Sequence, residues 1–284
     1  MQIAIIGGGP AGVFAAIIAA ANSKSAAVEV LEATHQPLDK VLLSGGGRCN
    51  VTHHCCEPDL LIENYPRGAK ELRGAFSRFQ PRDMIAWLEN EGVKLKVEAD
   101  GRMFPVTDRS STIVDCLLRA AARRDVTIKL GAGVRSLERV AGEKESPQFE
   151  IGLRDGSRHR YDRVLLATGS AARGYKLAES LGHTIIPCVP SLFTFKIADP
   201  RLKDLAGLSF GDARLTLKTQ GHKSLQQQGP LLITHWGLSG PAVLKLSAWG
   251  ARELHGCKYR AELEVDLLPE SGSEAAYQML LAFR

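Results

Sequence analysis

The amino end of the chain carries the feature that most constrains its fold. A short apolar run, Gln2 to Ile6, is followed by GGGPAG at positions 7 to 12 and then by an alanine-rich stretch. This order predicts a strand, a tight turn and a helix. Gly7, Gly9 and Gly12 satisfy the pattern G-x-G-x-x-G, which in this setting is typical of a turn that binds the diphosphate of a dinucleotide. A plain glycine-rich turn is the alternative.

Each position of this turn has a predicted role. Gly7 permits the tight turn, Gly9 lets the backbone approach a diphosphate, and Gly12 lets the helix pack closely on the strand. Pro10 and Ala11 open the helix, whose N-terminal N–H groups and partial positive charge attract an anion. All five are therefore candidate coenzyme-binding residues.

A carboxylate follows the second predicted strand. The strand is Ala27 to Leu31, and Glu32 lies twenty residues after Gly12. An acidic residue at this spacing can accept hydrogen bonds from both ribose hydroxyls of an adenosine, and it disfavours a 2′-phosphate. Together with the strand and helix that flank the glycines, Glu32 favours dinucleotide binding over the plain turn.

Two further strand boundaries are candidate ligand contacts. Arg163 to Ala167 is typical of a buried strand, and it ends in Thr168 and Gly169, where a doubly wound sheet places its ligands. At the start of another predicted strand, Val134 can offer backbone groups to an adenine, although a plain turn is the alternative there.

A second glycine run is predicted to lie on a loop. Residues 44 to 50 read SGGGRCN, and Lys40 precedes them. Consecutive glycines leave backbone N–H groups free to face an anion, and Lys40 and Arg48 add positive charge on the same side. A flexible solvent loop is the alternative, but beside a dinucleotide fold a cofactor contact is favoured.

The rest of the chain predicts more β-structure. Val134 to Val140, Phe149 to Leu153 and Arg158 to Tyr161 are three consecutive short strands, typical of a β-meander, and the last two are joined through a strong Asp-Gly turn signal. After the prolines near position 188, alternating segments predict a second, β-rich unit. We therefore expect an α/β fold with a Rossmann-like domain at 1–188 and a β-rich domain at 189–284.

The segment THWGLSGP, residues 234 to 241, precedes a helix predicted to end near Glu253. One interpretation is an ordinary helix start, with Ser239 as the cap and Pro241 in the first turn. The other is that His235 and Trp236 face a substrate or bound cofactor, with His235 as a candidate proton donor.

Several classes are disfavoured by what the sequence lacks. The six cysteines contain no CxxC pair, and the His and Cys residues between positions 49 and 56 lack zinc-ligand spacing, so no metal and no disulfide framework are predicted. No P-loop or H-E-x-x-H motif occurs. No apolar run is long enough to cross a bilayer, and the first residues lack the basic region of a secretory signal, so a cytoplasmic protein without membrane contact is expected.

The motifs together resemble those of the BaiN/YhiN-like FAD-dependent oxidoreductases. The resemblance covers most of the chain, and its most specific parts are SGGGRCN and HWGLSGPA. The matching stretches are GGGPAG (7–12), Lys40 with SGGGRCN (44–50), GRMFP (101–105), ATG (167–169), the segment from Gly174 to His183, and LITHWGLSGPA (232–242).

This resemblance implies a bound FAD in an extended pose and an inserted β-rich domain that covers the flavin. It also implies that the residues matching the family's second glycine motif bind the cofactor, namely Lys40, Gly46, Gly47, Arg48 and Asn50. The implied activities are reduction of a conjugated C=C bond in steroid-like ketones and oxidation of a small amino ketone.

The chain also departs from the family pattern. Relatives carry a longer glycine-rich loop between Gly169 and Gly174, and they continue into a segment that returns to the first domain and closes over the flavin. We therefore expect this chain to lack the groups around the redox half of the flavin and to bind FAD weakly.

The leading hypothesis is an FAD-dependent oxidoreductase acting on a small unsaturated or carbonyl-bearing molecule. NADH or NADPH would be a transient electron donor, because no second G-x-G-x-x-G is present. Neither a nucleic acid nor a membrane is expected as a partner, and the oligomeric state is not predicted. One alternative is a catalytically silent FAD- or nucleotide-binding module. Another is a flavoprotein RNA-modification factor, suggested by a pI of about 8.9 and by Arg119, Arg123 and Arg124.

Overall fold

The computed structural model describes residues 1–23, 25–141 and 148–282. Its contacts divide the chain into two compact units, Met1–Ile186 and Pro187–Arg284. Each unit has its own buried core, and each is described separately below.

The first unit combines strands and helices, and they alternate at its amino end, as is typical of an α/β fold. Its strands are β1 (Gln2–Ile6), β2 (Ala27–Leu31), β3 (Thr52–His53), β4 (Leu95–Val97), β5 (Arg102–Pro105), β6 (Thr127–Lys129), β7 (Val134–Val140), β8 (Gln148–Leu153), β9 (Arg158–Tyr161) and β10 (Arg163–Leu166). Its helices are α1 (Pro10–Asn22), α2 (Asp39–Leu43), α3 (Pro58–Ile62), α4 (Ala69–Phe76), α5 (Pro81–Asn90), α6 (Ser110–Ala122) and α7 (Ala172–Ser180).

A parallel sheet forms the centre of this unit, in the strand order β10-β1-β2-β6. The predicted strand–turn–helix at the amino end is confirmed, since β1 leads through the glycine turn into α1. The helix buries Val13, Ala16 and Ile17 in the core that also contains Ile5. Because β1 and β2 pair in parallel around the α1 crossover, the Rossmann-like arrangement is confirmed.

The predicted β-meander is also confirmed, since β7, β8 and β9 pair as consecutive antiparallel strands. The expectation that residues 163 to 167 form a buried strand is wrong. Among the described residues β10 pairs with β1 alone, and Leu165 is 44% exposed. An apolar run does not distinguish a central strand from an edge strand, because that difference depends on which strands pair beside it.

The second unit is built on one antiparallel sheet. Its strands are β11 (Phe195–Lys196), β12 (Ser209–Lys218), β13 (Leu225–Thr234), β14 (Gly237–Ser239) and β15 (Glu262–Asp266), in the order β11-β14-β13-β12-β15. Its helices are α8 (Pro241–Trp249), α9 (Ala251–Gly256) and α10 (Ser273–Ala282). The helix α8 packs on the sheet through a core that includes Leu215, Leu231 and Leu246. The predicted β-rich unit is therefore confirmed.

Two details of this unit differ from expectation. The predicted single helix from Pro241 to Glu253 is two helices that meet at Gly250, where an added Cβ would lie 2.9 Å from a methyl carbon of Leu217. Ser239 does not cap α8, because it belongs to β14 and Gly240 occupies the capping position without a side-chain bond. In the part of the chain that the structure describes, no helix is both long and apolar enough to span a bilayer.

Candidate dinucleotide-binding site

Two glycines of the first turn are required by backbone packing. Gly7 has φ +114°, and a Cβ on it would lie 2.5 Å from the carbonyl oxygen of Ala167, the residue after β10. A Cβ on Gly12 would overlap the carbonyl oxygen of Gly7. The turn, the first helix and the end of β10 therefore meet with no room for a side chain, which is the close packing that the spacing predicts.

Gly9 differs from these two, because it faces open space. It adopts an extended conformation that any residue can reach, with φ −76° and ψ 178°, and a Cβ on it would have no atom within 4 Å. Pro10 and Ala11 follow as exposed residues in the first turn of the 13-residue helix α1. The N-terminal N–H groups of this helix therefore lie beside open space that a diphosphate can enter.

Glu32 is bonded to the glycine turn. Its Oε2 accepts a hydrogen bond from the backbone N–H of Gly8 at 2.6 Å, and its Oε1 accepts one from the N–H of Thr34 at 2.8 Å. Oε1 also accepts from the Thr34 hydroxyl at 2.9 Å, so, of the carboxylate's about four lone-pair sites, the one left on Oε2 can accept from a ribose hydroxyl. A Cβ on Gly8 would lie 2.8 Å from Oε2, so this glycine is also needed. The motif treats position 8 as variable, and sequence reasoning missed it.

The start of β7 lies beside this carboxylate. The backbone N–H of Ala132 donates to the carbonyl oxygen of Glu32 at 2.8 Å. Gly133 is buried, and its carbonyl oxygen already accepts from the N–H of Arg154 at 2.8 Å. Val134 is buried and pairs with Leu153 in the meander. The hydrogen bond of Ala132 therefore holds the start of β7 beside Glu32, and Val134 follows two residues later. The contact of Val134 with an adenine stays a prediction.

Lys40 and the end of β10 meet on the same side as the glycine turn. The Lys40 ammonium nitrogen lies 3.9 Å from the position that a Cβ on Gly169 would take. Lys40 is exposed and makes no ion pair with another described residue. Thr168 packs its hydroxyl against Gly174, where a Cβ would overlap it. Gly174 therefore supports the site by leaving room for Thr168. In the sequence, only the family resemblance indicated this residue.

The second glycine run folds into a tight left-handed turn. Gly45, Gly46 and Gly47 have φ values of +57°, +67° and +83°, and they form a short 3-10 turn with Ser44 directly after α2. A Cβ on Gly46 would meet no atom within 4 Å, so conformation rather than space demands glycine there. Asn50 lies exposed just beyond this turn.

Arg48 is engaged by the protein itself. Its Nη1 lies 2.6 Å from Oε1 of Glu98 and 3.5 Å from Oδ1 of Asp108, and its guanidinium carbon lies 4.1 Å from the centroid of the Phe104 ring. Lys96 also pairs with Asp108. Arg102 also pairs with Glu98 and with Asp100, so three cations and three carboxylates meet here. The contact of Arg48 with a cofactor stays a prediction.

His235 lies in the second unit, at the tip of a hairpin. Thr234 pairs with Gly237, so His235 and Trp236 form the two-residue loop between β13 and β14. Both side chains are exposed, and His235 makes no hydrogen bond to another described residue. Its role as a proton donor stays a prediction.

His53, Arg123 and Arg124, which were considered for a metal site or for RNA binding, contact other residues of the protein. His53 accepts from the N–H of Cys55 at 3.1 Å, and its other ring nitrogen lies 3.0 Å from the carbonyl oxygen of Asp100. Among residues 1–23, 25–141 and 148–282, no cluster of His, Cys, Asp and Glu has a metal-binding arrangement. Arg123 and Arg124 both pair with the carboxylate of Glu91, whose side chain is only 7% exposed.

The fold and this glycine turn define a dinucleotide-binding protein of the Rossmann type. The chain belongs to the HI0933-like protein Rossmann domain family, whose model matches residues 1–251.

Three curated relatives are similar over most of the chain. It is 31% identical over 277 residues to the 3-dehydro-bile acid delta(4,6)-reductase of Clostridium scindens, covering 95% of this chain and 65% of that protein. It is 31% identical over 253 residues to the ribosomal RNA dihydrouridine synthase of Escherichia coli K12, covering 86% and 60%. The Haemophilus influenzae protein of the same name is 30% identical over 281 residues, covering 95% and 65%. The chain thus spans 60 to 65% of the length of these relatives.

Solved structures are more distant. THI4 of Thermovibrio ammonificans has 15% identity and a TM-score of 0.44, covering 65% of this chain and 64% of that one. The 3-ketosteroid-delta4-(5alpha)-dehydrogenase of Rhodococcus jostii RHA1 has 17% identity and a TM-score of 0.41, covering 63% and 48%.

Proposed function

We propose that this chain binds FAD and that, within the whole protein, it serves a reductase acting on a C=C bond conjugated to a carbonyl. The observation that carries the proposal is the open space at Gly9, which lies between the N-terminus of α1 and Gly8, the residue bonded to the carboxylate of Glu32. Membership of the HI0933-like family supports the same coenzyme.

The described residues fit the adenosine diphosphate half of FAD. The N–H groups at the start of α1 would hold the diphosphate beside Gly9, and the free lone pair on Oε2 of Glu32 would hold a ribose hydroxyl. The exposed ammonium of Lys40, close to Gly169, would add the positive charge that a diphosphate needs. A carboxylate at position 32 repels a 2′-phosphate, so the geometry favours an unphosphorylated adenosine ribose in this site.

The named activities of the relatives share one chemical feature. A 3-dehydro bile acid with double bonds at positions 4 and 6 is a conjugated ketone, and uridine carries a C=C bond conjugated to a ring carbonyl. When bound, the flavin of FAD supplies hydride transfer, with NADH or NADPH as the proposed electron source. The protein's part is to bind and orient the coenzyme and to supply a proton, for which His235 is the candidate.

Replacement of Gly9 tests the coenzyme site directly. Gly9→Leu is expected to fold normally, because position 9 has open space and an ordinary backbone conformation. It should weaken FAD binding at least tenfold, because the leucine side chain would fill the space that the diphosphate needs. Gly74→Leu is the matched control, since Gly74 in the same unit also has no atom within 4 Å of a Cβ. FAD affinity is measured by fluorescence titration and folding by thermal melting. Unchanged FAD affinity in Gly9→Leu would overturn the proposal.

The flavin spectrum tests the reductase part. Anaerobic addition of NADH or NADPH to the FAD-loaded protein should bleach the flavin absorbance, and a substrate with a conjugated C=C bond should restore it. Binding of FAD with no bleaching by either nucleotide would identify a catalytically silent module instead.

RNA is a second candidate substrate, because two relatives are named ribosomal RNA dihydrouridine synthases. Arg123 and Arg124 share the single carboxylate of Glu91, which offsets only one of their two positive charges, so the pair keeps a net positive charge. The test is retention of ribosomal RNA at low salt that is lost as salt rises. Dihydrouridine formation in retained RNA would favour this candidate over a small-molecule substrate.

A further inference from the structure

A cavity of about 280 Å³ lies inside the first unit, next to the glycine turn. Helices α1, α2, α5 and α6 and the loop after the second glycine run all contribute to it. Its walls are Pro10, Phe14, Lys40, Val41, Ser44, Cys49, Asn50, Val51, Met84, Trp87, Leu88, Ile113 and Leu117. No charged side chain other than that of Lys40 is in this set.

The cavity has a closed inner end and an open outer end. Val41, Leu88, Ile113 and Leu117 are all buried and form the inner end. Pro10, Lys40 and Asn50 are exposed and form the rim. The rim therefore consists of candidate coenzyme-binding residues, whereas the inner end belongs to the apolar core.

The inner walls offer little to water. The hydroxyl of Ser44 donates to the carbonyl oxygen of Val41 at 2.9 Å, so its proton is already used. Burial raises the pKa of the Cys49 thiol, which therefore stays neutral. A buried water needs two to four polar partners, and a cavity without them stays dry. The walls thus favour an apolar occupant.

Aromatic side chains give one wall of the cavity a definite shape. Phe14 of α1 and Trp87 of α5 meet edge to face, with ring centroids 4.9 Å apart. Such walls accept the face or edge of another ring. A dry apolar cavity of about 150 Å³ already binds benzene, so this larger one has room for one or two fused rings.

We infer that this cavity is a binding site for a compact, uncharged, largely apolar ring molecule. The cavity adjoins the proposed diphosphate site, since Pro10 and Lys40 border both. The inference does not depend on the proposed reductase activity, and coenzyme-free protein suffices to test it.

The three tryptophans provide the test. Protein labelled with 5-fluorotryptophan gives one ¹⁹F resonance each for Trp87 in the cavity wall, Trp236 at the hairpin tip and Trp249 in α8, assigned by single Trp→Phe variants. Benzene is the probe. We expect a saturable shift of the Trp87 resonance alone. No shift, or equal shifts of all three resonances, would overturn the inference.

Matched variants locate the binding. Leu117→Phe fills the inner end and should weaken benzene binding at least tenfold, whereas Leu118→Phe, one residue along α6 but outside the cavity wall, should not change it. Met84→Trp and Ile85→Trp form a second pair on α5 in case Leu117→Phe fails to fold. Equal affinity in a folded cavity-filling variant and its matched control would refute the assignment.

Discussion

The first unit contains two glycine-rich turns, and they use glycine for different reasons. In the turn at positions 7 to 12, Gly7 and Gly12 are needed because backbone atoms lie where a Cβ would be, and only Gly9 faces open space. In the turn at positions 44 to 47, all three glycines have a positive φ, as Gly7 also does. Gly46 has room for a side chain, whereas a Cβ on Gly45 would lie 2.8 Å from the backbone nitrogen of Asn50. The comparison teaches that a glycine pattern can reflect packing, conformation or a ligand, and each has a separate test.

The largest difference concerns stability. Gly12→Ala forces a methyl group onto the Gly7 carbonyl oxygen, and we expect it to lower the free energy of unfolding by about 3 kcal/mol. Gly46→Ala only places an alanine in a left-handed conformation with free space, which costs about 1 kcal/mol. Urea denaturation measures both. Equal losses would show that the two turns are not constrained differently.

The second difference concerns charge. Lys40 has no ion pair among the described residues, whereas Arg48 is held by Glu98 and Asp108. Loss of a charge-assisted hydrogen bond costs about 2 kcal/mol, so Lys40→Met should weaken FAD binding more than tenfold at low salt. Arg48→Met should change it less than about threefold, since that charge is already compensated.

Isothermal titration with FAD at two salt concentrations checks this pair of variants. The effect of Lys40→Met should shrink as salt rises, because screening weakens an exposed charge. A larger loss in Arg48→Met than in Lys40→Met would show that Arg48 leaves its carboxylate partners to bind the coenzyme.

The smallest expected effect is the pH dependence of the second turn. The hydrogen bond from Lys96, aided by the charges of Lys96 and Arg48, holds the pKa of Asp108 below its usual value. Because the pKa of Asp108 is lower in the folded state, the ionised side chain stabilises the fold at pH values above the unfolded pKa of about 3.9. This stabilisation is lost as the pH falls through the folded-state pKa of Asp108. Asp108→Asn should therefore melt below the parent protein near neutral pH.

The two melting temperatures should converge as the pH falls below the lowered folded-state pKa of Asp108. Thermal melting monitored by circular dichroism from neutral to acid pH measures the convergence. A constant difference across that range would mean that the Asp108 pair does not support the turn.

The local order of the amino end could be predicted closely from the sequence. The strands Gln2–Ile6 and Ala27–Leu31 are found at their predicted positions, and α1 begins one residue before the alanine-rich stretch. Short-range signals decide these elements, because an apolar run, a glycine turn and a helix start all lie within about twenty residues.

Errors arose where the outcome depends on distant parts of the chain. The sequence predicted β10 as a buried strand, but among the described residues it lies at an edge. Likewise, the helix from Pro241 ends before Gly250, where Leu217 of β12 leaves no room for a Cβ. A short stretch of sequence around β10 or Gly250 does not show which distant segments pack against it.

The candidate site shows the same division. The spacing of Gly7, Gly12 and Glu32 alone predicted a turn with an acidic residue beside it, because these positions follow a strand–helix–strand unit with few conformations open to it. The tertiary structure decided that Gly8 donates to Glu32, that Arg48 pairs with residues 50 and 60 positions later, and that a largely apolar cavity lies next to Pro10. Local backbone preferences act over a few residues, whereas pairing, burial and empty space exist only once distant segments have packed together.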